Sequence, residues 1–148
     1  MTATETSVSP SQSSPQTHDQ TLRIRAVVIL GLLLAEILVG NQLALLGSPY
    51  PWGWLAAHIG LSIVLVAFTA HAFVISVRLP SWPARVASGV TFLSSVGATI
   101  DGILFLYGGA SRSSLYGMEG LSAVAFLGCI LLIFVGSVVT RSPRAGVR

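Results

Sequence analysis

Four long apolar segments dominate this chain, from about Ile24 to Leu46, Gly53 to Val77, Val86 to Tyr107 and Tyr116 to Val139. Each runs roughly 22–25 residues, and about 20 helical residues cross the ~30 Å hydrocarbon core of a bilayer. The stretches between them, 47–52, 78–85 and 108–115, are short, so consecutive helices must be antiparallel neighbours. Gly47-Ser48-Pro49-Tyr50-Pro51 and Leu79-Pro80-Ser81-Trp82-Pro83 carry the breakers expected at helix ends. Only 9% of the residues are charged and the mean hydropathy is +0.80. A soluble domain carries about 25% charged residues, so this chain is too poor in charge to cover a water-facing surface, and none of its segments has a charged face. The expected fold is all-α: an integral membrane four-helix bundle.

The termini differ from the spans. Residues 1–21 are rich in Ser, Thr, Pro and Gln and contain no apolar run, which predicts a disordered tail rather than a signal peptide. The four-span domain is expected over 22–141, and 142–148 form a second tail. All eight basic residues are arginines. Arg23 and Arg25 precede the first span, Arg78 and Arg85 flank the second connector, and Arg141, Arg144 and Arg148 follow the fourth span. Only Arg112 falls on the other side. The positive-inside rule therefore predicts that both termini are cytoplasmic in a multi-pass plasma-membrane protein. The same placement accounts for the high pI through lipid headgroups, with no need of nucleic acid. Tyr50, Trp52, Trp54, Tyr107 and Tyr116 fall where an outer aromatic belt belongs, and Trp82 at the inner interface. Small residues at four-residue spacing, Gly31/Ala35, Gly40/Ala44 and Ser94/Ala98/Gly102, suit close helix packing in lipid.

Function is sought among the polar residues inside the spans, because ionisable groups in a bilayer are costly. At ~1.5 Å per residue, Asn41, His58, Asp101 and Glu119 lie roughly 5–9 Å below the outer helix ends, one from each span. Glu36 is near the midplane, where it is either neutral and hydrogen-bonded or paired with a cation such as protonated His58. Glu36, Asn41, Asp101 and Glu119 are the candidate intramembrane polar cluster. His71 falls near the cytoplasmic end, and Cys129 reads as a small apolar filler. One cysteine excludes an internal disulfide and any site needing two thiolates. Walker, His-Glu-x-x-His, Gly-x-Ser-x-Gly and dinucleotide motifs are absent from the sequence.

An internal match singles out two positions. His58-Ile-Gly-Leu-Ser62 aligns with Met118-Glu-Gly-Leu-Ser122, and Asn41 precedes His58 by the same interval as Asp101 precedes Met118. The two helical hairpins read as parallel duplicates, with His58 and Met118 in equivalent places. Imidazole and thioether form an axial pair for a low-spin heme, and a four-helix bundle can hold one between facing helices. His58 and Met118 are thus the candidate axial ligands of a heme b. His58 and His71 lie roughly 220° apart around their helix at 100° per residue, so they do not stack as a diheme pair.

The Glu36-Ile-Leu-Val-Gly40 stretch, the Gly47-Ser48 turn with Pro51-Trp52, and His58-Ile-Gly-Leu resemble one four-helix half of the heme A synthase family. The resemblance implies a heme-carrying membrane bundle, with His58 at the second-helix ligand position and Met118 where the family has a fourth-helix histidine. The chain has one half instead of two, with no outer cysteine pair and no acidic residue just before His58. The resulting expectation is a small cytochrome-like membrane protein for electron transfer or redox sensing. The alternatives are a non-catalytic subunit of a larger membrane complex, meeting other subunits or a second copy of itself, and a proton-coupled carrier or channel using Glu36, Asp101 and Glu119.

Overall fold

A computed structural model describes residues 15–46, 49–107 and 112–139, with side chains placed over residues 20–135 of that range. The described residues form four α-helices: α1 (Pro15–Leu46), α2 (Trp52–Val77), α3 (Trp82–Tyr107) and α4 (Arg112–Val139). Three of them, α2, α3 and the Arg112–Val135 part of α4, are long and apolar enough to cross a membrane. Most of the expected tail at 1–21 and all of that at 142–148 lie outside the described side chains. However, α1 begins at Pro15, so residues 15–21 are helical. Proline is well placed at a helix start because its missing N–H would be unpaired there anyway. Once Leu22, Ala26, Ile29 and Leu33 have fixed α1 on its neighbours, extending the helix by a turn or two adds little cost.

Local chemistry explains the two described connections. Pro51 sits ahead of α2 in extended conformation (φ −60°, ψ 125°), and its carbonyl accepts the Leu55 N–H at 3.1 Å. At the other turn, the Arg78 and Leu79 N–H groups return to the Ile75 and Ser76 carbonyls at 3.1 and 3.0 Å. The Leu79 carbonyl in turn accepts Nε and Nη2 of Arg85 at 2.9 and 2.6 Å. The α2–α3 turn is thereby closed by one of the arginines that carry the orientation signal.

The helices contact one another in a ring. α1 packs on α2 and α4, α3 packs on α2 and most extensively on α4, and the diagonal pairs do not approach. Cross-helix neighbours such as Glu36 with Ser62 and Gly40 with His58 run in opposite senses along the two helices, which makes α1 and α2 antiparallel. Gly97 with Leu121 and Gly102 with Met118 do the same for α3 and α4.

The fully buried core lies at the end bearing Arg23, Arg25, Arg78 and Arg85. It consists of Leu22, Ala26, Ile29 and Leu33 of α1, Leu65, Thr69, Ala72 and Ser76 of α2, a small-residue seam on α3 from Ala84 to Ser95, and Ala125, Cys129 and Leu132 of α4. Cys129 is a filler in this core, as its position suggested. α3 and α4 approach closely at Gly128, where an added Cβ would run into Oγ1 of Thr91 and stand 3.3 Å from the Ala87 carbonyl. The buried hydroxyls bond to backbone: Thr69 to Val66, Ser76 to Phe73, Thr91 to Ala87 and Ser95 to Thr91, at 2.7–3.0 Å. A helix satisfies a hydroxyl this way without water. Ser76 and Ser88 also bond to each other and tie α2 to α3. Beside them the rings of Phe73 and Phe92 stack with centroids 6.0 Å apart.

Candidate functional site

The site is built where α1 meets α2 at the opposite end of the ring. Two spacings of four residues create it. Glu36 and Gly40 share one face of α1, and His58 and Ser62 share one face of α2. Gly40 leaves a gap in the α1 surface, and the His58 ring lies in it: a Cβ at Gly40 would be 3.3 Å from ring carbon Cε1. Glu36 reaches the ring from one turn below. Its Oε1 stands 3.2 Å from Nδ1 of His58 and accepts the Ser62 hydroxyl. The side chains of Glu36 and His58 are 13% and 16% exposed, so this polar contact is largely shut off from its surroundings.

The pairing is incomplete. Oε2 of Glu36 and Nδ1 of His58 are both buried with no hydrogen-bond partner, although Nδ1 stands 3.2 Å from Oε1. Two unpartnered atoms on one pair of side chains are unusual, since a buried polar group without a partner costs about 1–3 kcal/mol. Of the two environments the sequence allowed Glu36, the helices supply both elements together: a serine hydroxyl bond and a neighbouring histidine.

The other candidates are distributed differently. Met118 is half-buried on α4 and leans on α3, its sulfur 3.5 Å from where a Cβ of Gly102 would be. His58 and Met118 thus each rest against a glycine of the preceding helix. Asp101, also half-buried, lies directly against Gly117, the residue before Met118. Asn41 and Glu119 are exposed, whereas Glu36 is half-buried. His71 is exposed while His58 is half-buried, as their angular separation around α2 requires. Among the described residues, no set of three or more His, Cys, Asp or Glu side chains gathers into a metal site.

Two participants were not singled out from sequence. Ser62 was noticed only as part of the Gly-Leu-Ser match, and Gly40 only as a packing residue and as the end of the Glu36-Ile-Leu-Val-Gly40 stretch. The signal that identifies both is the i, i+4 relation to Glu36 on one helix and to His58 on the other. Of the small-residue pairs, Gly31/Ala35 makes no close contact at its glycine, which has nothing within 4 Å of an added Cβ.

For a heme iron, the donor set available is an imidazole and a thioether on the diagonal helices α2 and α4, whose backbones do not approach each other. With Nδ1 turned to Glu36, the ring nitrogen left for a ligand is Nε2. A carboxylate behind the ligating histidine is the usual arrangement in metal sites. The donor types are those of a His/Met-ligated heme. No protein-family model, curated protein or solved structure matches this chain.

Proposed function

We propose that the chain is a four-span plasma-membrane protein with both termini cytoplasmic, and that it binds a heme b through His58 and Met118 for electron transfer or redox sensing. In this reading α1 spans as well, since Glu36 is its one charged residue between Arg25 and Leu46, and that carboxylate is met by His58 and Ser62. The observation that carries the heme reading is the His58 ring seated against Gly40 with Nδ1 on the Glu36 carboxylate. That contact leaves Nε2 as the donor nitrogen. Met118 supplies the opposite donor from α4. When bound, a heme would supply one-electron exchange. The chain itself fixes the imidazole, offers the thioether, and keeps Asp101 next to the Met118 turn, where its charge bears on the potential.

The test is the visible spectrum of detergent-purified protein, oxidised and reduced. A Soret band that His58→Ala abolishes is expected. Met118→Ala should retain heme on His58 with a lower potential, because methionine ligation raises it. Purified protein from heme-replete cells with no Soret band overturns this reading. Terminal reporters active outside the cytoplasm would overturn the topology.

A second reading, a subunit of a larger membrane assembly, is favoured by a separate observation. Asn41, Gln42 and Glu119 are exposed on the helix surfaces. At the depth of the spans, polar side chains facing outward are best met by another chain.

A further inference from the structure

We infer that Glu36 is a positioning residue that holds the neutral His58 ring in its Nδ1–H form and so makes Nε2 the lone-pair nitrogen. The argument turns on which oxygen faces the ring. Oε1 of Glu36 is the atom 3.2 Å from Nδ1, and the same Oε1 accepts the hydroxyl hydrogen of Ser62. An oxygen that accepts from Ser62 acts as a carbonyl or carboxylate oxygen. It has a second lone pair for one more donor. As a carboxylate, Glu36 offers only acceptor oxygens, so Nδ1 faces an acceptor 3.2 Å away and the ring hydrogen belongs on Nδ1. A neutral imidazole has one donor nitrogen and one acceptor nitrogen, so Nε2 is left as the acceptor.

Two further features make this a device rather than a chance contact. Gly40 leaves the space in which the ring sits against α1, and a side chain there would press on Cε1 at 3.3 Å. Ser62 pins the carboxylate from the helix that carries the histidine itself, so α2 steadies the group that orients its own ring. Turning the ring so that Nδ1–H points at Oε1 would satisfy the buried nitrogen. The inference rests on the heme reading only for what Nε2 then holds; the tautomer stands apart from it.

The experiment is nitrogen NMR of full-length protein labelled with [15N]histidine, in lipid nanodiscs and heme-free, at a pH where the ring is neutral. His58→Gln identifies the His58 signals among the three histidines. Wild type should show a protonated Nδ1 and an unprotonated Nε2. Glu36→Leu should exchange the two, giving the Nε2–H form that free histidine prefers. Glu36→Gln should keep the wild-type pattern, since its amide oxygen can still accept. If Glu36→Leu does not fold, Gly40→Leu tests the same point by pushing the ring off the carboxylate. Wild type in the Nε2–H form overturns the inference outright, as does an unchanged tautomer in folded Glu36→Leu. A Soret band together with Nε2–H in the heme-free protein refutes the positioning role and leaves the heme reading intact. Nδ1–H without any Soret band does the reverse.

Discussion

At the arginine-bearing end the helices meet through small side chains and bonded hydroxyls; at the other end they meet through a carboxylate, an imidazole and a gap in a helix surface. The first end holds nearly the whole buried core. Toward the other end, α1 has only Leu43 buried beyond Leu33, and among the described residues nothing is buried before Leu65 in α2, after Ser95 in α3 or before Ala125 in α4. Without a hydrophobic force between helices in lipid, close packing and satisfied polar groups must hold the ring together. The core end does this with Ala, Ser, Thr and Gly, and the other end keeps two polar atoms unsatisfied. A chain that puts its packing at one end can tolerate imperfect pairing at the other.

Substitutions at each end test this division. The largest effect is expected from Gly128→Leu, which would drive a side chain into Thr91 and the Ala87 carbonyl. Overpacking of this kind costs about 1–3 kcal/mol or more, read as a lower unfolding midpoint in mixed micelles or as loss of monodisperse protein. Gly120→Leu on the same helix enters open space and should stay within about 0.5 kcal/mol of wild type. Equal damage from both would erase the contrast between seam and surface. Next, Ser62→Ala removes one hydroxyl bond to Glu36 and should cost about 1 kcal/mol in the same unfolding assay. A loss as large as that of Gly128→Leu would mean that the Glu36–His58 end bears the fold as well. The smallest effect is expected for a double-mutant cycle at Ser76 and Ser88, with a coupling of about 0.6 kcal/mol, typical of interhelical hydrogen bonds in membranes. A coupling near zero would assign the core end to shape alone.

Helix number and the rough places of the connectors were legible in the sequence, because span length and breakers are local properties, but α3 and α4 begin at Trp82 and Arg112, about a turn before the expected Val86 and Tyr116. The start of α1 was not legible, since Pro15 to Thr21 carry no apolar signal and precede the buried stripe that begins at Leu22. Depth arithmetic alone separated Glu36 from His58 by about a helical turn. What joins them is reach: Gly40 is level with the ring, and the glutamate side chain spans the remaining turn. Residue spacing cannot show which way two helices turn their faces. Hence Asn41 and Glu119, at suitable depth, ended on the outside.

The Glu36 contact also bears on how the protein enters its membrane. A carboxylate group at the centre of an inserting helix carries a penalty on the order of 3 kcal/mol on the translocon scale. In the four-span reading α1 is the first span to be made, and it carries that penalty while His58 and Ser62 are still unsynthesised or inside the ribosome. Its lodging in the bilayer is then conditional on the arrival of α2, whose ring and hydroxyl provide the carboxyl group with its first partners. In that reading the two helices enter as a couple, and a defect at His58 would be felt first as poor insertion of a helix that does not contain it.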